Sequence, residues 1–198
     1  MSILQGINTL RSVRRFKPDP VPDDVIRKIL EAATRAASGS NSQPWEFVVV
    51  RDRKVKARLT EPMLRTWLAR LGTGPKMIGR MKEVYDDATE MLRNTENVPA
   101  IVFCCFDTNR VSKSEEVRYA SILPSVQNLM LAAHALGLGT CLTVHGSTST
   151  RGEPEVKKIL GIPNNIKIAC LVYLGYPAVK LGPPRRKSVD QYSHYDRW

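Results

Sequence analysis

The sequence of 198 residues has no hydrophobic segment long enough to cross a membrane as a helix. Its longest apolar runs, 100–106 and 168–174, have the length of strands. The first ten residues lack the basic start and apolar stretch of a secretory signal, so we expect a cytoplasmic protein without membrane contact. With a hydrophobic content of 42% and a charged content of 25%, the chain is expected to form one globular domain over residues 1–198.

Residue patterns that bind metals or act as nucleophiles are also missing. The sequence has three histidines, His134, His145 and His194. They are far apart and lack acidic partners at a spacing typical of zinc sites, so we predict no metal. The polar stretch 39–43 does not match a nucleophile elbow, which leaves a hydrolase with little support.

The four cysteines contain no Cys-x-x-Cys pair. We interpret Cys104, Cys105, Cys141 and Cys170 as small buried hydrophobic residues. Cys104 and Cys105 are neighbours in a predicted strand and should point to opposite faces. They therefore cannot share a metal or form an easy disulfide.

Acidic residues are outnumbered, since 30 Lys and Arg face 19 Asp and Glu and leave a net charge of +11. Such a charge attracts anions. The basic residues are spread along the chain with acids between them, and no helix-turn-helix, RNP string or aromatic–basic ladder occurs. We therefore expect a phosphorylated small molecule or a dinucleotide as the anion, and no nucleic acid.

A polar stretch, Ala37-Ser-Gly-Ser-Asn-Ser-Gln-Pro-Trp45, joins a helical pattern that ends at about residue 37 to a segment of β-forming residues, 45–50. Its glycine lets another molecule approach closely, and the amides of Asn41 and Gln43 can both donate and accept hydrogen bonds. This combination suits a flat ligand with polar edges. An ordinary turn is the alternative, because such residues are common in loops. We interpret Trp45 as a core residue rather than a stacking platform.

The start of the chain places two arginines after a short helix. Apolar residues at helical spacing predict that helix over residues 2–9, and Arg11-Ser12-Val13-Arg14 follows it. Arginines three residues apart on a turn can converge on one oxyanion through forked, charge-assisted hydrogen bonds. Two arginines on a solvated face are the alternative.

The rest of the chain alternates helices and strands. We predict a helix that starts at Pro22 and runs to about Ala37, and two amphipathic helices separated by Gly72, Gly74 and Pro75. A strand at 100–106 should be buried on both faces. A capping box of Ser112 and Glu115 would begin a helix to Leu136, with Pro124 as its kink or its true start. A helix at 155–160 and a strand at 168–174 complete the pattern.

Taken together, several short motifs resemble those of the FMN-dependent nitroreductase family. They are Arg11-Ser12-Val13-Arg14, Ser38 to Trp45, Gly137-Leu-Gly139, Leu160-Gly-Ile-Pro163 and Gly175-Tyr-Pro177. The resemblance runs from about residue 5 to the last residue with the same order and approximate spacing. It departs at Leu10, where many relatives have Arg, and at Ala37, where the family sometimes has Pro.

The resemblance implies an α+β, three-layer fold with a central, mostly antiparallel sheet between helices. It also implies a homodimer in which the arm 177–198 crosses to the other subunit, where Tyr192, Tyr195 and Trp198 would find a groove. FMN would sit at the interface, take hydride from NADH or NADPH, and reduce nitroaromatics or quinones in a ping-pong mechanism. Residues 60–95 would form a lid that sets specificity. Reductive dehalogenation, flavin breakdown and a non-enzymatic flavin-binding or storage role stay open.

The residues implied to bind FMN come from four segments. They are Arg11, Ser12, Val13, Arg14, Ser38, Gly39, Asn41, Gln43, Thr143, Val144, His145, Gly146 and Arg186. The arginines would hold the phosphate or the pyrimidine edge, the two amides would fix the ring edge, and 143–146 would contribute backbone groups. A general-acid role for His145 is the alternative there, and Arg185, Lys187 or a loose basic tail are the alternatives to Arg186. No side chain is predicted to be catalytic, since the chemistry would belong to FMN.

Overall fold

A four-stranded sheet lies at the centre of the computed structural model, which describes residues 1–73, 78–110, 114–147 and 150–198. The strands are β1 (Trp45–Val50), β2 (Ala100–Asp107), β3 (Gly139–Thr143) and β4 (Ile166–Gly175). Their order across the sheet is β1-β2-β4-β3, and each neighbouring pair is antiparallel. Ser12 adds an isolated parallel bridge to Thr140 at the β3 edge.

Helices cover both faces of this sheet. In the described ranges they are α1 (Ile3–Thr9), α2 (Asp23–Ala33), α3 (Arg53–Thr73), α4 (Gly79–Arg93), α5 (Glu115–Ala135) and α6 (Glu153–Leu160). One hydrophobic cluster joins the sheet to α2 and α5, and a second joins it to α3, α4 and α6. Cys104 belongs to the first cluster and its neighbour Cys105 to the second. The molecule therefore has the three layers and the α+β composition that the resemblance implies.

The structure confirms the three predicted strands, with β2 one residue longer and β4 longer at both ends. All eight residues of β2 are buried, as an uninterrupted apolar strand between two layers requires. The four cysteines are free and buried, and Trp45 lies in the first cluster, as predicted.

Several helix boundaries differ from the prediction. Helix α6 begins at Glu153 rather than at residue 155, and Gly72, predicted to separate two helices, lies inside α3. Helix α2 ends at Ala33 rather than Ala37, because the N–H groups of Arg35 and Ala36 donate to carbonyls three residues back and tighten the chain into a turn. Helix α5 begins at Glu115 and continues through Pro124, which therefore does not mark its start. The proposed cap Ser112, and the breakers Gly74 and Pro75, lie outside the described residues.

Some large apolar side chains face outward on the single chain. In α1, Ile3 and Leu4 are 81% and 70% exposed, and in the arm 177–198 Tyr195 and Trp198 are 86% and 99% exposed. The arm has one short 3₁₀ turn, Val189–Gln191, in place of longer elements. Within the described ranges, no helix combines the length and the hydrophobicity needed to span a bilayer.

Candidate functional site

The N-terminal segment 11–14 is fixed beside β3. The Val13 N–H donates to the Thr140 carbonyl at 2.8 Å, and the buried Val13 side chain lies directly over Gly139. A Cβ at Gly139 would come within 2.7 Å of that side chain, so this close approach requires glycine. Because side chains alternate along extended backbone, Ser12 and Arg14 lie on the face opposite Val13.

This segment opens into a cleft of about 310 Å³, here called the arginine cleft. Its lining residues are Arg11, Ser12, Arg14, Arg80, Val84, Pro184, Arg185 and Arg186. The structure thus brings together the two arginines near the start of the chain and Arg186 near its end. Arg80 and Arg185 join them, and among the described residues none that lines this cleft is acidic.

Two guanidinium groups of the arginine cleft have buried donors without an acceptor. The Nε atoms of Arg11 and Arg14 are buried and make no hydrogen bond, although Nη1 of Arg11 donates to the Gly182 carbonyl at 2.6 Å. An unsatisfied buried donor on a charged group costs about 1–3 kcal/mol or more. The adjacent Arg15, by contrast, pairs with Asp87 at 2.7 Å. The guanidinium groups of Arg11 and Arg14 therefore keep hydrogen-bonding capacity that the described residues do not use, and both line a cleft that fits a phosphate.

The loop 38–43 has a strained backbone. Ser40 and Asn41 have φ of +53° and Gln43 has φ of +46°, in the left-handed region that residues other than glycine rarely occupy. Internal bonds hold this shape: Gln43 N–H donates to Ser38 Oγ at 3.0 Å, and Gln43 Nε2 donates to Asn41 Oδ1 at 3.2 Å. Strain of this kind concentrates at ligand sites. A plain connecting turn has no need of three such residues.

The loop and the arginine cleft lie at opposite corners of the sheet. Ser12 lies outside β3 and Trp45 begins β1 at the other edge, so four strand spacings, about 19 Å, separate them. Along the strands, Thr140 is level with Ala100 and Trp45 with Phe106, a further offset of about 20 Å. The diagonal between the two groups is therefore roughly 27 Å.

Helix α5 gives an independent measure of the same separation. Gly39 N–H donates to Ser121 Oγ at 3.1 Å near the start of this helix. Thr9 Oγ1 and His134 Nε2 form a hydrogen bond of 2.8 Å near its end. Thirteen residues of helix between the two contacts span about 20 Å. Within one chain, the arginines of the cleft and the amides of the loop are therefore too far apart to bind the same end of a small molecule.

The segment 143–146 lies against the layer of α3, α4 and α6. His145 is 7% exposed, and its ring meets the edge of the Trp67 ring at a centroid distance of 4.7 Å. The φ of Gly146 is +93°, and a Cβ there would lie 3.2 Å from Met63. Burial, and next the charge of Arg70, lowers the pKa of His145 to about 4. A ring that is neutral and enclosed is a poor proton donor, which favours the backbone interpretation of this segment.

Replacing His145 should remove a pH dependence of stability. The unfolded histidine binds a proton below about pH 6.5 and the folded one only below about pH 4, so the free energy of unfolding falls as the pH drops between these values. The loss should approach about 3 kcal/mol. We expect His145→Phe, measured by urea unfolding from neutral pH to about pH 4, to lose this component. His194→Gln, a change at an exposed histidine, should retain it. Equal pH dependence in wild type and His145→Phe would contradict the assignment.

Arg80 was not singled out by the sequence. It lies in the first turn of α4, and it reaches the arginine cleft because this helix packs beside the N-terminal segment, a contact that no local pattern reports. In the predicted lid region 60–95, Met63 and Trp67 are core residues of the second cluster. Trp67 also ties α3 to α4, since its Nε1 donates to Thr89 Oγ1 at 2.8 Å.

Comparison with known proteins adds a family and several relatives. A sequence model described as "Nitroreductase family" matches residues 7–176. A Thermus thermophilus protein named NADH dehydrogenase is 33% identical, over 91% of this chain and 89% of its own. A second relative, from Methanothermobacter thermautotrophicus, is provisionally named an NADH dehydrogenase/NAD(P)H nitroreductase. It is 29% identical to this chain, over 100% of this chain and 88% of its own length. The crystal structure of an iodotyrosine deiodinase bound to FMN and 3-iodo-L-tyrosine has a TM-score of 0.78, with 24% identity and 100% coverage of both chains.

Proposed function

The chain belongs to the nitroreductase family, and from this premise we propose that it is a homodimeric flavoprotein that binds FMN between its two subunits. It would use NADH or NADPH to reduce nitroaromatics, quinones or similar electrophiles. Each site would combine the arginine cleft of one subunit with the loop 38–43 of the other. The observation that carries the proposal is the pair of buried, unpartnered Nε atoms of Arg11 and Arg14.

The separation of the two residue groups supports a site that is shared between subunits. About 27 Å lies between them in one chain, and a two-fold axis can place each group beside its counterpart on the other copy. The same axis would generate two equal sites. The exposed apolar side chains of α1 and the arm give such a dimer surface to bury.

The protein groups have separate tasks in this proposal. The guanidinium groups of Arg11, Arg14 and Arg186 would neutralise the phosphate with forked hydrogen bonds. The amides of Asn41 and Gln43 would hold the polar edge of the ring system. Backbone groups of 143–146 would lie beside the ring, with His145 neutral. FMN, when bound, supplies the hydride chemistry.

The visible spectrum of the purified protein tests this proposal. We expect a yellow protein with flavin absorbance. This absorbance should decrease when NADH or NADPH is added without air, and it should return when an electron acceptor is added. A colourless protein that gains no absorbance with added FMN would contradict the proposal. A yellow protein that neither coenzyme bleaches would instead indicate a flavin-binding or storage role.

The acceptor is identified by turnover against a small panel. A nitroaromatic, a quinone and an iodinated tyrosine should be compared at equal concentration, the last because a deiodinase shares this fold. We expect the nitroaromatic or the quinone to be reduced fastest. Turnover confined to the iodinated tyrosine would favour the reductive dehalogenase alternative.

A further inference from the structure

The arginine cleft holds more positive charge than one FMN phosphate can balance. Five guanidinium groups line it, and no carboxylate does. A phosphate monoester carries about −1.5 to −2 at neutral pH, so about three positive charges are left over. None of the five arginines forms an ion pair with an acidic residue of the described ranges. The positive charge of such a cleft is sufficient to attract a second anion.

Arg80 and Arg185 are the source of the excess. Arg80 is not among the residues that the family motifs imply for the phosphate, and Arg185 is there only an alternative to Arg186. Both are exposed, unlike Arg11 and Arg14, and no hydrogen bond from either side chain ties it to the described parts of the chain. They belong to separate elements, the first turn of α4 and the arm, and both line the cleft.

A carboxylate does lie nearby, in an adjoining cleft of about 300 Å³ that shares Arg80. It contains Glu83, which is three residues from Arg80 on α4, and Asp87, which pairs with Arg15. No ion pair joins Arg80 to Glu83 among the described residues. Arg80 is therefore available to an external anion.

We propose that the hydride donor is NADPH rather than NADH, and that Arg80 and Arg185 bind its ribose 2′-phosphate. The inference rests on the proposed function, because it assigns a coenzyme to the same site. NADPH differs from NADH only in that phosphate monoester, whose charge matches the excess, and arginine is the residue that usually accommodates it. Both arginines are exposed, so dissolved salt should weaken the preference.

Steady-state kinetics of the FMN-loaded dimer test the assignment. The measured quantity is the ratio of kcat/KM for NADPH to kcat/KM for NADH, with one quinone as acceptor. We expect wild type to favour NADPH about twenty-fold and Arg80→Gln/Arg185→Gln to favour it less than about three-fold, through a higher KM for NADPH. Arg27→Gln removes the same charge from α2, where Arg27 pairs with Glu31, and should keep the wild-type ratio.

Equilibrium binding gives a readout that does not depend on turnover. Calorimetry of the FMN-loaded protein should show that 2′,5′-ADP binds more tightly than 5′-ADP, and that the double variant loses the difference. A wild type without preference, or a preference that survives in the double variant, would overturn the inference. Loss of flavin from the double variant would also overturn it, by assigning both arginines to FMN. A wild type that stays colourless with added FMN would contradict the proposed function itself.

Discussion

Arg14→Gln protein is expected to purify without FMN, with its affinity for the cofactor lowered about a hundred-fold. Arg14 lines the arginine cleft and carries a buried Nε donor that has no acceptor among the described residues, so we assign its guanidinium group to the phosphate. A hydrogen bond between charged groups contributes about 1.5–3 kcal/mol, and the upper value corresponds to about 150-fold in affinity. Titration of the apoprotein with FMN, followed by flavin fluorescence, measures the effect.

The neighbouring arginine supplies a matched control. Arg15→Gln removes the same charge one residue away, but Arg15 pairs with Asp87 and its side chain is 65% exposed, so FMN should bind normally. Unfolding of the two apoproteins separates binding from folding. Because Arg14→Gln removes an uncompensated buried donor, its apoprotein should be at least as stable as wild type. An Arg14→Gln protein that retains FMN at full stoichiometry would show that the arginine cleft does not hold the phosphate.

Asn41→Ala/Gln43→Ala is expected to weaken FMN binding by a similar factor, although these residues lie roughly 27 Å from the arginine cleft of their own chain. The variant removes two amides that would hold the ring edge, and it leaves flavin polar groups unpaired in a closed site. Together the two losses should cost about 3 kcal/mol, or about 150-fold in affinity. The same fluorescence titration applies.

Ser40→Gly is the control for the loop. Ser40 shares the left-handed backbone of this loop, with φ of +53°, but it is assigned no ligand contact. Glycine accepts that backbone without strain, so the loop should keep its shape and FMN should bind normally. Normal FMN binding by Asn41→Ala/Gln43→Ala would show that the strained loop serves another purpose.

Much of the fold follows from local patterns. β2 and β4 contain the continuous apolar runs 100–106 and 168–174, and burial on both faces is the arrangement such runs favour. β3 was not predicted, because it is five residues long, begins at a glycine and pairs as an edge strand with distant residues. The end of α2 was misplaced, because Ala36 continues the helical spacing while its N–H already bonds in a tighter turn.

The candidate site is only partly readable from the sequence. Motifs single out Arg14, Arg186 and Asn41, because each uses residue types that suit a phosphate or an amide edge. Their relative positions depend on the order of strands, which long-range pairing decides. The family resemblance implies that Arg14 and Arg186 bind the same phosphate, and the structure brings them to one cleft. No sequence signal points to Arg80, whose place depends on how α4 crosses the N-terminal segment.

The shared site is tested most directly by a heterodimer of two damaged chains. One chain carries Arg14→Gln and the other carries Asn41→Ala/Gln43→Ala, each with its own affinity tag, and sequential purification isolates the mixed dimer. If each site takes its arginines from one subunit and its loop from the other, one site receives every lesion and the second site receives none. The account predicts about one FMN per mixed dimer, although each homodimer binds almost none. A mixed dimer without FMN would place both groups of one site in the same chain and contradict the account.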